Sequence, residues 1–532
     1  MPELLAGHAI FSPACDRVVY SSNRDDFLRP FQVRLERFER PVVEPIPIAV
    51  AQDFSARSLS HDCGLLALVS DPRGAGAYDI YVLDLEDGTL TNLTDSPDGD
   101  DGQPQFSPAR RRLAWLADRG IAVHDLDSGR PVRVAEPPVR FRSFIWSDDG
   151  EALFLEDLRS GLWRYDFARR RFEPLWHSPR TTYSPRMLSQ RGDSLYFVSD
   201  HESPFTQIYR LGLADASLER LHPEPHDQYA PVELADGGVA FRSNVDGSFV
   251  ARVLREGRVT RVSPERGVVY GFSLEFEEPI ALLGTDTAPR SLYALPRGGD
   301  LRDLLDGRTP VAQRPAQLVR NVDGMVNLVY RPDGPARGWV VWLHGGPHEQ
   351  VSPRYNPYFD ALVRQGLGVV ALNYPGSTGV GNEYELRSVL RGRLERQLDT
   401  ITRDLEQVRA LHPDFDAYYL VGVSAGSVVA QGLLGRDAAR VRGLIDFSGI
   451  ATEGDLGLDA SAESLWPPAL FIYGALDPYA EGAERKRLLA LHRDHAAARD
   501  VVIDREGHYI SRRSSVEQIL REIEDFVSQT SS

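Results

Sequence analysis

The first three hundred residues repeat one short pattern of hydrophobic and polar positions. Each copy has a hydrophobic residue, a polar turn that is most often Ser-Pro or Ser-Asp, and then an apolar or alternating strand. The clearest copies are FSPACDRVVYSS from Phe11, LSHDCGLLALVSD from Leu59, FSPARRRLAWLAD from Phe106 and WSDDGEALFLED from Trp146. Self-similarity at a fixed spacing is typical of repeat architectures.

A second pair of strands follows many of these copies. In DIYVLDLEDGTLTNLT from Asp79, Asp87 and Gly88 form a hairpin turn between two alternating runs. Similar segments start at Gly120 and Gly161, and weaker copies of the whole unit start near Tyr183, Tyr229 and Val268. Counted from His8, about seven units of roughly 40 to 50 residues fit four-stranded propeller blades. We therefore expect a β-propeller over 1–310; unrelated hairpins in a sandwich are the alternative.

The last two hundred residues alternate strand and helix patterns. Residues 298–316, rich in glycine, proline and charge, separate them from the repeats as a linker. Continuous apolar runs favour parallel strands covered on both faces; they start at Gly338, Leu367, Tyr418, Val441, Pro468 and Arg499. Apolar stripes around 398–411 and 516–526 predict helices. Residues 317–532 are therefore expected to form an α/β-hydrolase-like domain with a doubly wound sheet.

Composition narrows the class of function. The chain has 532 residues and a net charge of -17, which argues against a nucleic-acid or anionic-membrane surface. No signal peptide and no apolar run of about 18 residues is evident, so we expect a cytoplasmic protein. Cys15 and Cys63 occupy matching turns of adjacent units and are interpreted as ordinary turn residues rather than a disulfide framework.

Candidate chemistry lies where the predicted strands end. Gly422 to Gly426 reads G-x-S-x-G, after the strand YYLVGV and before the helical run SVVAQGLLG. This is the pattern of a nucleophile elbow, in which Ser424 is the nucleophile and the helix N-terminus favours negative charge. Because G-x-S-x-G also occurs by chance, a plain strand-to-helix turn is the alternative.

Asp477 and His508 each follow a later predicted strand. A serine nucleophile needs a base, and a histidine base needs an orienting acid. The order Ser424, Asp477, His508 is the order of α/β-hydrolases. Asp446 and Asp504 are weaker candidates for the acid. Asp477 could instead cap a helix before Pro478, and His508 could be a surface-loop histidine.

A glycine loop, His344-Gly345-Gly346-Pro347, follows the strand WVVWL. Acyl transfer needs two N–H donors for the oxyanion, and we assign them to the backbone of Gly346 and Ala425. An ordinary glycine turn is the alternative. His344 and His348 are interpreted as structural or rim residues.

These motifs, in this order behind a repeat domain, resemble the prolyl oligopeptidase family of serine peptidases, most closely its acylaminoacyl-peptidase-like branch. The carrying motifs are HGGPH from His344, NYPGSTGVGNEY from Asn373, GVSAG from Gly422, YGALD from Tyr473 and EGHYI from Glu506. The resemblance implies a propeller that restricts access to short peptides or small substrates. Two features depart from the family. Ala425 and Ser427 stand where relatives carry an aromatic residue and a glycine, and the segment 450–466 is short.

The leading hypothesis is a serine hydrolase that forms an acyl-enzyme and cleaves amide bonds in short peptides or acylated amino acids. An esterase, or an acyl transferase or cyclase acting on a specialised small molecule, is the runner-up. A catalytically silent propeller that binds a partner is the third reading. We expect no cofactor, no metal, no nucleic-acid partner and no membrane partner. The sequence leaves open whether the chain forms a homo-oligomer.

Overall fold

The first three hundred residues fold into antiparallel four-stranded units. The computed structural model describes residues 5–35, 41–72, 77–95, 101–117, 120–159, 161–178, 188–296, 301–305, 314–346, 348–386, 392–450, 466–478, 483–495 and 497–530. The strands of the first four units are β1 (Leu5–Ser12), β2 (Arg17–Asp25), β3 (Phe27–Arg34), β4 (Val42–Pro45), β5 (Ser55–Leu59), β6 (Leu65–Ser70), β7 (Asp79–Asp84), β8 (Leu90–Asn92), β9 (Gly102–Phe106), β10 (Arg112–Ala117), β11 (Gly120–Asp125), β12 (Arg130–Val132), β13 (Phe141–Trp146), β14 (Ala152–Asp157), β15 (Leu162–Asp166) and β16 (Arg171–Trp176).

The remaining strands of this region continue the same pattern. They are β17 (Leu188–Arg191), β18 (Ser194–Ser199), β19 (Gln207–Gly212), β20 (Leu218–Arg220), β21 (Gln228–Glu233), β22 (Val239–Val245), β23 (Ser248–Arg255), β24 (Arg258–Arg261), β25 (Val268–Ser273), β26 (Ile280–Thr285), β27 (Ala288–Ala294) and β28 (Arg302–Asp303). The first five units are separate sheets. The last two join in one eight-stranded sheet through a single parallel pair, Phe249 with Val268.

The units are arranged in a ring. The first strands β1, β5, β9, β13, β17 and β21 contact one another in order, and β1 also contacts β25. Side chains of one first strand bond the backbone of the next: the Gln103 and Gln105 amides donate to the Arg142 and Phe144 carbonyls at 3.0 and 2.9 Å. The inner strands of a unit therefore have a neighbouring unit on each face. This explains apolar runs such as LLALV in β6.

The predicted repeats are found where the pattern placed them. Units begin at β21 and β25, next to the predicted starts at Tyr229 and Val268. The predicted start at Tyr183 lies outside the described residues; the strand that follows it is β17.

The interpretation of the cysteines as ordinary turn residues was wrong. Cys15 and Cys63 form a disulfide with a Cα–Cα distance of 5.9 Å. Cys15 lies between β1 and β2, and Cys63 lies in the matching turn between β5 and β6. Because neighbouring units contact along the ring, matching turns lie side by side, and two cysteines one repeat apart come within bonding reach.

The C-terminal region is one eight-stranded sheet. Its strands are β29 (Gln317–Arg320), β30 (Val326–Tyr330), β31 (Gly338–Leu343), β32 (Leu367–Leu372), β33 (Tyr418–Val423), β34 (Val441–Phe447), β35 (Ala469–Gly474) and β36 (Ala498–Ile503). The order across the sheet is β29-β30-β32-β31-β33-β34-β35-β36. The six predicted strands are confirmed and run parallel. The hairpin β29–β30, antiparallel to β32, was not predicted.

Helices cover both faces of this sheet. They are α1 (Pro357–Arg364), α2 (Asn382–Leu386), α3 (Arg393–Leu411), α4 (Gly426–Asp437), α5 (Ala483–His495) and α6 (Arg513–Thr530). Helices α3 and α6 confirm the two predicted apolar stripes, and they pack on opposite faces of the sheet. Helical connections between parallel strands bring the carboxyl ends of those strands to one edge of the sheet.

Much of the predicted linker lies outside the described residues, at 298–300 and 306–313. Its end is tied to the ring: the Ala316 N–H donates to Asp286 at 2.9 Å, and Arg266 donates to the Ala316 carbonyl at 2.6 Å. None of the helices over the described ranges is long and apolar enough to cross a membrane.

Candidate active site

Ser424 lies on a tight turn between β33 and α4. Its φ of 50° is in the left-handed region, which non-glycine residues rarely adopt. A Cβ on Gly422 would lie 2.7 Å from the Cα of Ser427, and one on Gly426 would lie 2.4 Å from the His344 carbonyl oxygen. The glycines of G-x-S-x-G are therefore required by the close approach of α4 to β33 and to the loop after β31.

The structure brings the three predicted catalytic side chains together. The Ser424 hydroxyl lies 3.0 Å from His508 Nε2, and His508 Nδ1 lies 2.9 Å from Asp477 Oδ2. With a proton on Nδ1, the imidazole donates to Asp477 and accepts from Ser424. All three residues follow strands of one sheet, β33, β35 and β36, so the parallel topology produces this cluster.

The alternative acids are positioned differently. Asp477 has a fully buried side chain. Asp446 is also buried, but it accepts hydrogen bonds from the Gly449 N–H and the Tyr473 hydroxyl at 3.0 Å each. Asp504 is exposed and pairs with Arg505. Asp477 is therefore the carboxylate that accepts the hydrogen bond from His508 Nδ1. The helix-cap alternative for Asp477 falls next to residues 479–482, outside the described ranges.

The predicted oxyanion donors, Gly346 and Ala425, flank the serine. Ala425 follows Ser424 at the start of α4, and Gly345 packs against Ser424: a Cβ on Gly345 would lie 3.1 Å from the Ser424 Cβ. Gly346 has a φ of 140°, which favours glycine. Within the described part of the chain, neither N–H is recorded donating to another group. Gly346 also lines the cavity that opens at Ser424.

His344 shapes this loop as a buried neutral residue. Burial lowers its pKa to about 4. The ring bonds the Gly345 carbonyl at 2.6 Å and the Ser377 hydroxyl at 2.8 Å, and it stacks on Tyr374. Tyr374 in turn donates to the His344 carbonyl. Tyr374 and Ser377 belong to the NYPGSTG motif, whose role sequence reasoning had not identified.

His348 lies on the rim, as interpreted. Its Nδ1 pairs with Glu385 at 2.8 Å, and this hydrogen bond raises its pKa.

Ser427, one of the two departures from the family pattern, has a structural partner. Its buried hydroxyl accepts the Ile450 N–H at 3.1 Å. Ser427 therefore joins α4 to the loop after β34, and the same Ile450 N–H also lies 3.4 Å from the Ser424 carbonyl oxygen. The other departure, the short segment 450–466, lies almost entirely outside the described residues.

A cavity of about 420 Å³ opens at Ser424. Its polar side chains are those of Ser424, Ser448, His508, His348 and Glu349, and its apolar side chains are those of Tyr358, Phe447, Val423, Ile510 and Tyr509. These aromatic residues were not singled out from the sequence, because nothing in their local pattern separates a cavity wall from a core.

A second cavity of about 750 Å³ lies between the ring and the sheet domain and shares His508 and Tyr509 with the first. The loop after His508 is anchored there to the ring. Asn23 donates to the Ser511 carbonyl at 2.9 Å, and the Ser511 hydroxyl donates to Asp53 at 3.2 Å. The base of the candidate triad thus belongs to a loop that both regions hold.

Comparison with known proteins identifies related peptidases. A search of protein-family models found no match. By sequence, the chain is 22% identical over 387 residues to dipeptidyl aminopeptidase BIII of Pseudoxanthomonas mexicana, covering 63% of this chain and 55% of that protein. The chain thus spans about half the length of this curated relative.

Solved structures match over nearly the whole chain. An acylaminoacyl peptidase of Pyrococcus horikoshii gives a TM-score of 0.73 at 15% identity, covering 99% of this chain and 95% of that one. A prolyl endopeptidase gives 0.82 at 14% identity, covering 100% and 90%. A puromycin-hydrolyzing peptidase of Mycobacterium tuberculosis gives 0.78 at 17% identity, covering 99% and 94%. The resemblance predicted from the motifs is confirmed, and the fold is that of propeller-plus-hydrolase enzymes.

Proposed function

We propose that the chain is a serine hydrolase in which a seven-bladed propeller, 1–310, covers an α/β-hydrolase domain, 317–532. The observation that carries the proposal is the hydrogen-bonded relay from Ser424 through His508 to Asp477. A strained serine, a histidine within bonding distance and a buried carboxylate behind it are the parts that acyl transfer needs.

In the proposed reaction, Ser424 Oγ attacks the substrate carbonyl carbon while His508 Nε2 accepts the hydroxyl proton. The N–H groups of Gly346 and Ala425 stabilise the oxyanion. His508 then protonates the leaving amine, and an acyl-enzyme remains on Ser424. A water molecule, deprotonated by His508, releases the acid. Asp477 holds the imidazole in the required tautomer and stabilises its charged form.

Short peptides or acylated amino acids are the proposed substrates. One acylaminoacyl peptidase related in structure is known with Z-Gly-Gly-Phe-chloromethyl ketone, and a puromycin hydrolase variant with PGG. The aromatic lining of the cavity at Ser424 suits an apolar group beside the scissile bond. An esterase, or an acyl transferase or cyclase, would use the same relay with a different substrate or acceptor.

The test compares aminoacyl anilides with simple aryl esters, each with and without an added amine nucleophile. Anilide hydrolysis that disappears in Ser424→Ala supports the proposal. Turnover of esters alone, or acyl transfer to the amine in preference to water, would support the alternatives. Full turnover by Ser424→Ala would exclude Ser424 as the nucleophile.

A further inference from the structure

Three arginines lie where the ring and the sheet domain meet, and we call them the positive wall. Arg57 in β5 and Arg290 in β27 come from the ring, and Arg354 comes from the loop before α1. Arg57 and Arg354 are exposed and Arg290 is half-buried. Burial nevertheless lowers the pKa of Arg57 and of Arg290.

Two of these guanidinium groups converge on one phenol. Arg354 Nη1 donates to the Tyr270 hydroxyl at 3.3 Å, and the guanidinium carbon of Arg290 lies 3.7 Å from the Tyr270 ring centre. Burial raises the pKa of Tyr270, but the charges of Arg354 and Arg290 outweigh that effect and bring it to about 8. Two positive charges therefore meet at this phenol, although the whole chain carries a net charge of -17.

The third arginine, Arg57, contacts His8. Arg57 lies 3.3 Å from His8 Nε2. Burial and the charges of Arg57 and Arg290 lower the pKa of His8 to about 4, so the imidazole is neutral near pH 7. Among the described residues, no carboxylate contributes to the pKa shift of Arg57; its charged neighbour is Tyr78.

This positive wall is adjacent to the candidate catalytic centre. His8 and Arg57 line the larger cavity together with His508 and Tyr509, which also line the cavity at Ser424. Arg354 is close enough to His344 to lower the pKa of that ring.

Four acids lie in the same region, and two of them accept backbone N–H groups. Glu349 contributes to the raised pKa of Arg354, after Tyr270. In the larger cavity, Asp53 and Glu506 accept backbone N–H groups, from Leu28 at 2.7 Å and Arg512 at 3.0 Å. Asp71 lines the cavity as well.

We propose that Arg57, Arg290 and Arg354 form an anion subsite, so that the preferred substrates carry a carboxylate remote from the scissile bond. The inference rests on the proposed function of Ser424. Guanidinium groups bind carboxylates through charge-assisted hydrogen bonds. The anionic group could belong to the acyl part of the substrate or to its leaving part.

The test uses pairs of substrates that differ only in carboxylate against carboxamide. One pair varies the acyl part: succinyl-alanyl and succinamoyl-alanyl 4-nitroanilide. The other varies the leaving part: acetyl-alanyl amides of 4-aminobenzoate and of 4-aminobenzamide. We expect kcat/KM to favour the carboxylate by about tenfold or more in one pair, as a charge-assisted bond provides. That pair identifies the side on which the anion lies.

Arg354→Gln and Arg57→Gln should each bring the ratio of kcat/KM for the carboxylate substrate to kcat/KM for its carboxamide partner toward one. The ratio is insensitive to loss of folded protein, because both substrates meet the same sample. Arg258→Gln, on the exposed outer strand β24, is the matched control and should leave the ratio unchanged. Equal kcat/KM within both pairs, or a ratio that survives both variants, would overturn the subsite.

A binding measurement separates this inference from the proposed function. Calorimetry on Ser424→Ala with succinyl-alanine amide and succinamoyl-alanine amide needs no turnover. Tighter binding of the carboxylate there, without hydrolysis by the native chain, would retain the subsite and reject the hydrolase. Hydrolysis without any carboxylate preference in kinetics or binding would reject the subsite alone.

Discussion

The candidate catalytic centre and the positive wall of Arg57, Arg290 and Arg354 are built in different ways. Ser424, Asp477 and His508 follow three strands of a single sheet. Each of them lies within a short sequence motif. Arg57, Arg290 and Arg354 come from two units of the ring and one loop of the sheet domain. The difference teaches that chemistry local to strand ends leaves a sequence signature, whereas a surface assembled from distant repeats leaves none.

The largest expected effect concerns the catalytic centre alone. Asp477→Asn should lower kcat by about 10⁴-fold, because the amide would favour the wrong imidazole tautomer. The carboxylate-to-carboxamide ratio should not change, since the arginines are untouched. Steady-state kinetics on both acyl substrates measures this. A loss below about tenfold would indicate that another acid orients His508.

The second prediction concerns the Cys15–Cys63 disulfide, which joins the two ring units that carry His8 and Arg57. Cys15→Ser should remove about 2–4 kcal/mol of stability, because the disulfide closes a loop with a sequence separation of 48. Hydrogen exchange should accelerate in β1 to β8, which carry His8 and Arg57. Amides of β33 and α4 should exchange as before. Uniform acceleration in both regions would show that they unfold as one unit.

The fold was largely predictable, because repetition in the first region and alternation in the second are local patterns. The disulfide was not, because it required knowing that matching turns of adjacent units lie side by side. In the candidate site, motif residues and their order were predictable. The partner of Ser427 and the convergence on Tyr270 were not, since they join segments without a shared motif.

A third, smaller effect is expected at Ser427. Ser427→Ala leaves the Ile450 N–H with its longer bond to the Ser424 carbonyl, at 3.4 Å, and should cost about 1 kcal/mol of unfolding free energy. Because this contact supports the turn beside Ser424, kcat should fall several-fold while the carboxylate ratio is retained. Denaturant unfolding and kinetics on the same sample measure both. Ser427→Thr, which keeps a hydroxyl, is the control; an equal loss of kcat there would point to packing instead.

The smallest effect is a pH dependence of the carboxylate preference, set by Tyr270. Tyr270 is a neutral phenol below its pKa of about 8 and a phenolate above it. As the pH rises from 7 to 9, the phenolate should offset the charges of Arg290 and Arg354, so the carboxylate preference should fall a few-fold. His8, neutral throughout, should not contribute. Tyr270→Phe should keep the preference constant over this range. The same decline in that variant would assign the effect to another group.

The most direct test of the central claim is mass-spectrometric mapping of a fluorophosphonate adduct. Ser448 lines the same cavity as Ser424 and is the internal comparison. The account predicts an adduct on Ser424 in the native chain and in Ser448→Ala, and none in Ser424→Ala. An adduct on Ser448, or a folded native chain that stays unlabelled, would contradict it.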